Sequence, residues 1–134
     1  MSIVVGFLPT PEGTAALDTA RREASLRSVP LVIVNVAFPR HGLHHQEQED
    51  ANNTALEKLE AELTAAGTEY SLVHPVGDYD PAEEILNVAS DAEVELIVLG
   101  LRRRTPVGKM LLGSTAQRVL LQADCPVLAV KANS

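Results

Sequence analysis

The chain has 134 residues, a formal net charge of −7 and 46% hydrophobic residues. A chain of this length can bury one hydrophobic core, so we expect one globular domain over residues 1–134. The acidic charge disfavours nucleic-acid and anionic-membrane partners, and with no Trp, two Phe and two Tyr the chain has no row of stacking aromatics. No apolar run approaches the roughly 18–20 residues of a membrane span and no basic segment opens the chain, so we expect a cytoplasmic location.

The first half of the chain alternates short apolar runs with helical patterns. Residues 3–8 form a β-branched run that predicts a strand, and residues 12–27 have the apolar spacing of a helix. Residues 31–38 are apolar nearly throughout, which indicates a strand covered on both faces. A polar loop is predicted over residues 39–50, and then a helix that runs to about residue 66.

The second half continues this alternation. A weaker strand is predicted at residues 69–76, and Asp80 and Pro81 suit the N-cap and first position of a helix. Residues 95–99 predict a strand, 114–123 a helix and 126–131 a last strand. Five strands that alternate with four helices indicate an α/β fold with a parallel sheet and right-handed crossovers. Ligands of such folds bind beyond the carboxyl ends of the strands.

The segment GLRRRTPVGKMLLGST, residues 100–115, follows the fourth strand and is the main candidate for a binding site. Gly100 allows close approach of a ligand to the backbone, and Gly113, Ser114 and Thr115 lie at a helix start, where free N–H groups attract phosphate. Four cations add positive charge: Arg102, Arg103, Arg104 and Lys109. The spacing fits neither Walker A nor GxGxxG. Two interpretations stay open, a phosphate-binding loop and a solvated basic loop in which Ser114 is an ordinary N-cap.

Three histidines, His41, His44 and His45, lie together in the predicted loop after the second strand. They suggest a cap over a nucleotide or a metal site, and the metal site would need carboxylates such as Glu47 and Glu49 to complete the ligand shell. We favour the alternative, a polar loop without metal. His74 in the third strand is predicted to be structural. No pair of a nucleophile and a base stands out, so we predict no catalytic residue and no metal site.

Nearly the whole chain resembles the universal stress protein family. That family ends in a strand, a Gly-x2-Gly-x9-Gly-[Ser/Thr] loop, a helix and a strand of the type CPVLVV. This chain has Gly100-Leu-Arg-Arg103, nine further residues, Gly113-Ser114, and then CPVLAV at residues 125–130. The segments IVVGFLPTPEGTAAL and VGDYDPAEEIL are similar to the family's opening and to the entry of its third helix. The resemblance implies a three-layer, doubly wound, Rossmann-like fold with the strand order 3-2-1-4-5.

For members with an intact motif, the resemblance also implies binding of ATP or AMP, with Mg²⁺ accompanying ATP. By position, the base would lie near Val36 and Leu99, and Gly6 and Leu8 would lie at the end of the first strand. The phosphates would lie on the loop, at Gly100, Arg103, Gly113, Ser114 and Thr115.

The chain departs from the family pattern at two of these positions. Arg103 replaces the second glycine of the motif, where its side chain either blocks a phosphate or pairs with it. Leu8 stands where family members usually end the first strand with an Asp. In nucleotide-binding members that Asp resembles an anchor for ribose or adenine, whereas the side chain of Leu8 offers neither a charge nor a hydrogen-bond acceptor. Loss of such an anchor costs on the order of 1–3 kcal/mol.

The predicted function is that of a stress-response module that binds an adenine nucleotide. The alternative is a nucleotide-free member of the fold that acts as a regulatory or protein-interaction module. An ATPase or phosphotransferase is a third possibility, and we expect at most weak ATP hydrolysis because no general base or metal ligand set is visible.

The last strand predicts a partner. Residues 127–130 are apolar on both faces, and in the implied strand order they form a sheet edge. An exposed apolar edge is prone to aggregation unless it is covered. We therefore expect a homodimer through this strand.

Overall fold

The computed structural model describes residues 1–36, 45–91, 93–102 and 112–132, with the backbone alone for His45. The elements follow the order β1 (Ser2–Gly6), α1 (Pro11–Arg27), β2 (Leu31–Val34), α2 (His45–Ala65), β3 (Tyr70–Val73), α3 (Pro81–Ala89), β4 (Val94–Leu101), α4 (Ser114–Gln122) and β5 (Val127–Lys131). The five strands form one parallel sheet in the order β3-β2-β1-β4-β5. The predicted fold class and strand order are confirmed.

The sheet separates two hydrophobic clusters, one on each face. Ile3 and Val5 of β1 belong to a cluster with α1 and α2, whereas Val4 belongs to a cluster with α3 and α4. Successive side chains of a strand point to opposite faces, so one short strand supplies both cores. This arrangement explains why the central strands are continuous apolar runs and not alternating ones.

The predicted strand ends are wrong at several places. β1 ends at Gly6 and not at residue 8, β2 ends at Val34 within the predicted 31–38, and β3 covers only Tyr70–Val73 of the predicted 69–76. β2 and β3 pair over four residues each, so both strands end where their ladder ends. β4 is longer than predicted, because β1 pairs with its first half and β5 with its second. The strand ends therefore depend on the neighbouring strands, and the hydropathy of a single strand does not show which strands these are.

The predicted loop over residues 39–50 is wrong in its second part, because α2 begins at His45. Gln46 Nε2 donates to Asp50 Oδ1 at 3.0 Å, one helical turn away. Glu47 lies in the first turn, where a carboxylate interacts favourably with the helix dipole. His41 and His44 lie outside the described residues, so the histidine group stays a prediction.

The described ranges contain neither a candidate membrane span nor a candidate metal cluster. No helix there has both the length and the apolar character needed to cross a membrane. Over the same ranges, no three His, Cys, Asp or Glu side chains come together as a possible metal site.

Candidate functional site

A cavity of about 200 Å³ lies at the carboxyl edge of the sheet. It is placed where β1 and β4 are neighbours, the point at which the strand order reverses. Ligands of open α/β sheets bind at this kind of switch point. The ends of β1, β2 and β4 and the starts of α1, α3 and α4 all contribute to its wall.

The structure brings most of the predicted site residues to this one cavity. Eight of them line it: Gly6, Leu8, Val36, Leu99, Gly100, Gly113, Ser114 and Thr115. Arg103 lies outside the described residues, so its role stays a prediction. The predicted set is thus spatially coherent wherever it is described.

The start of α4 forms one end of the cavity. Gly113 is the N-cap, with φ −64° and ψ 159°, and no side chain caps the helix. Ser114 is therefore the first helical residue, and the interpretation of Ser114 as an ordinary N-cap is wrong. The Nε of Arg102 lies 4.0 Å from the position that a Cβ on Gly113 would occupy. A guanidinium and the free N–H groups of a helix start both favour an anion at this end.

Arg102 also lines the cavity, although the sequence pattern indicates it only as one of four cations in a basic loop. It is the residue after β4, whose length depends on the pairing with β5. The motif spacing points to position 103, where the second glycine is expected, and it gives no role to position 102.

The start of α1 forms the opposite wall through a tight turn. Thr10 is the N-cap, and its Oγ1 accepts a hydrogen bond from Gly13 N at 3.0 Å. Thr10 N donates to Leu8 O at 2.7 Å, and a Cβ on Gly13 would lie 2.0 Å from the same Leu8 oxygen. This packing brings Glu12 to the cavity wall, which sequence reasoning did not foresee.

The structure requires a glycine at position 100 for a reason that differs from the predicted one. A Cβ at this position would lie 2.2 Å from Glu12 O and 2.6 Å from Glu12 C. Real Cβ atoms do not approach a backbone so closely, hence α1 can pack on the end of β4 only over a glycine. The predicted reason was close approach of a ligand. The structure shows close approach of α1.

A buried pair of amides supports the end of β1. Asn35 Nδ2 donates to Phe7 O at 3.1 Å and to Asn52 Oδ1 at 2.9 Å, and Asn52 Nδ2 donates to Asn35 Oδ1 at 3.0 Å. Asn35 N donates to Val73 O at 2.9 Å, and a 3.2 Å hydrogen bond joins His74 Nδ1 to Asn35 O. These bonds join β1, β2, α2 and the end of β3 directly beside the cavity. His74 contributes to this structural network, as its predicted role requires.

An ion pair joins α3 and α4, whose first turns both line the cavity. Asp80 lies at the N-cap position of α3, but its side chain does not cap the helix. It pairs instead with Arg118 Nη1 of α4. Asp80 is thus the N-cap residue that the sequence predicts, and its carboxylate has a tertiary partner in place of the helix N–H groups.

Cys125 packs against the α3–α4 cluster and does not line the cavity. Burial raises the pKa of its thiol above the ordinary value. The thiolate is the nucleophilic form of cysteine, so this environment disfavours reactivity.

Comparisons with known proteins agree with this architecture. The sequence model of the universal stress protein family matches residues 1–131. A universal stress protein from Mycolicibacterium smegmatis is 40% identical over 129 residues, which cover 96% of each chain. A solved structure of the universal stress protein from Archaeoglobus fulgidus has a TM-score of 0.78 and 30% identity, with 98% of both chains covered. Another, of the Archaeoglobus fulgidus protein in complex with dAMP, has a TM-score of 0.71 and 25% identity, again over 98% of both chains.

Proposed function

The chain belongs to the universal stress protein family, and from this premise we propose that it is a single-domain cytoplasmic stress-response module that binds ATP or AMP. The nucleotide lies in the cavity at the carboxyl edge of the sheet. The base contacts Val36 and Leu99, and the phosphates lie at the start of α4.

One observation carries this proposal. Arg102 and the uncapped start of α4 meet in the same cavity, at the point where the strand order reverses. Charge-assisted bonds from a guanidinium and hydrogen bonds from helix N–H groups are both suited to phosphate. The comparison structure in complex with dAMP supports an adenine nucleotide as the ligand class.

The module acts by binding and not by catalysis. Within the described lining of the cavity, no Ser or Thr hydroxyl is hydrogen-bonded to a basic side chain. Such a pair is what nucleophilic catalysis needs. Mg²⁺ would reach the site only with ATP, through the phosphates.

Leu8 favours a second candidate, a nucleotide-free regulatory module. It lines the cavity and has no polar side-chain atom. One calorimetric titration with nucleotide distinguishes this candidate from the nucleotide-binding module.

We expect calorimetric titration to show binding of ATP or AMP, with cyclic AMP as a third ligand. Arg102→Gln should weaken AMP roughly tenfold, because one charge-assisted contact to phosphate is lost. Arg22→Gln, which removes an exposed cation from α1, is the matched control and should leave affinity unchanged. Ser114→Ala and Arg103→Gly complete the set, since tighter binding by Arg103→Gly identifies that arginine as an obstruction. Absence of heat and of thermal shift at millimolar nucleotide would establish the nucleotide-free alternative.

The same proposal includes a homodimer through β5. This strand pairs with β4 on one side, and no other described strand pairs with it. Leu128 in this strand is 38% exposed, and Leu120 and Leu121 of α4, the helix that precedes β5 in the chain, are exposed as well. Pairing with β5 of a second copy would give the backbone N–H and C=O groups of this edge hydrogen-bond partners and would cover apolar surface.

Sedimentation velocity at micromolar concentration is expected to show a dimer. Leu128→Lys should shift the protein towards monomer, because it places a charge in the proposed interface. Leu26→Lys changes another exposed leucine, in the last turn of α1, and should leave the dimer intact. A wild-type protein that sediments only as a monomer would exclude the proposed dimer.

A further inference from the structure

The cavity has an acidic group as well as a positive end. Arg102 and the start of α4 form the positive end, and Glu12 lies in the first turn of α1. A carboxylate is an unexpected neighbour for a phosphate, since like charges repel. The Glu12 carboxylate would therefore contact a part of the ligand other than its phosphates.

The turn that precedes Glu12 offers no other free acceptor of comparable strength. The side chain of Leu8 is apolar, and its carbonyl oxygen already accepts from Thr10 N at 2.7 Å under the cover of Gly13. Thr10 Oγ1 accepts from Gly13 N at 3.0 Å. Among the residues of this turn that line the cavity, Glu12 is the one with a carboxylate.

The position of Glu12 is set by the fold. Its backbone packs on the exit of β4, and its Cβ lies 3.0 Å from the place that a Cβ on Gly100 would take. The residue is half-buried, and its carboxylate makes no hydrogen bond or ion pair with any residue in the described part of the chain. Glu12 thus lines the cavity with a fixed backbone and a carboxylate that is unpaired within the described residues, and it can offer that carboxylate to a ligand.

We propose that Glu12 accepts hydrogen bonds from the ribose hydroxyls and makes the site select ribonucleotides over 2′-deoxyribonucleotides. A carboxylate has acceptor sites only, and the 2′- and 3′-hydroxyls of ribose both donate. An acidic residue that binds the ribose 2′-hydroxyl is an established use of this chemistry in other α/β folds. This inference rests on the proposed nucleotide binding and assigns to Glu12 the contact that Leu8 cannot make.

The chemistry predicts effects of opposite sign for the two ends of the ligand. Glu12 attracts the hydroxyls of the sugar and repels the charge of the phosphates. Its removal should therefore weaken a ribonucleotide and strengthen a ligand that is phosphate alone. A merely structural role for Glu12 would weaken both.

The test is a calorimetric titration of AMP, dAMP and inorganic tripolyphosphate in EDTA-containing buffer. The wild-type protein should bind AMP roughly tenfold more tightly than dAMP, the usual effect of one hydrogen bond to a charged group. In Glu12→Ala this ratio should fall close to one, and tripolyphosphate should bind more tightly. Glu12→Gln keeps one acceptor oxygen and should give an intermediate ratio. Glu83→Ala removes an exposed carboxylate from the first turn of α3 and is the matched control.

Each other outcome overturns the inference in a distinguishable way. An AMP-to-dAMP ratio that is the same in wild type and Glu12→Ala excludes the sugar contact, while binding of AMP itself upholds the proposed function. An equal loss of all three ligands, with a lower melting temperature, assigns Glu12 a structural role. An effect of Glu12→Ala that appears only when Mg²⁺ replaces EDTA assigns the carboxylate to a metal. Absence of binding by any nucleotide removes the inference together with the proposed function.

Discussion

Gly100→Ala is expected to lower the free energy of unfolding by about 3 kcal/mol, the upper part of the usual range for overpacking. The added methyl group would lie 2.2 Å from Glu12 O, so relief requires α1 to move away from the end of β4. α1 packs against β1, β4 and β5, and such a movement would disturb the main core. Chemical denaturation of both proteins measures the difference.

Gly113→Ala is the matched control, because both glycines belong to the same motif. A Cβ on Gly113 would have a single neighbour, the Nε of Arg102, at 4.0 Å. Replacing a glycine N-cap by alanine costs at most about 1 kcal/mol. Equal losses of stability in the two variants would contradict the packing explanation for Gly100.

Asn35→Leu is expected to cost about 3 kcal/mol, because it leaves buried polar groups without partners. Asn35 is 0% exposed and Asn52 is 6% exposed. Without the Asn35 amide, Phe7 O and both side-chain groups of Asn52 lose their hydrogen bonds. Denaturant unfolding of the variant measures the loss.

A double-mutant cycle separates this network from general packing. Asn52→Leu alone should also destabilise, and the double variant Asn35→Leu/Asn52→Leu should lose less than the sum of the two, since fewer groups are left unpaired. Asn53→Leu, an exposed neighbour on α2, should change stability by less than about 0.5 kcal/mol. Additive losses would show that the two amides do not act as a pair.

The amide pair also bears on the cavity. Phe7 O marks the point where the chain leaves β1, and Phe7 and Leu8 both line the cavity. The Asn35 side chain thus fixes the chain at Phe7, in one wall of the cavity. The pair of Asp80 and Arg118 joins the two helices of another wall. The wall that carries Glu12 depends on Gly13 and Gly100. The cavity is therefore shaped partly by the motif residue Gly100 and partly by packing and hydrogen bonds outside the motif.

The amino-acid sequence alone determined the α/β alternation, because buried parallel strands must be apolar on both faces and their helices on one. The family resemblance assigned eight described residues to one site, and all eight line the cavity. The strand order came from the family resemblance, since periodicity does not say which strands pair.

Only the tertiary structure decided the features that depend on partners distant in sequence. The ends of β2 and β3 follow from their shared ladder, and the start of α2 at His45 lies in a stretch with little apolar signal. Asn35 and Asn52 are 17 residues apart, and their pairing has no local pattern. Gly100 looks like a ligand-binding glycine in the motif but is needed for the close approach of Glu12, 88 positions earlier in the chain. These features arise from close packing between elements, which a linear pattern cannot encode.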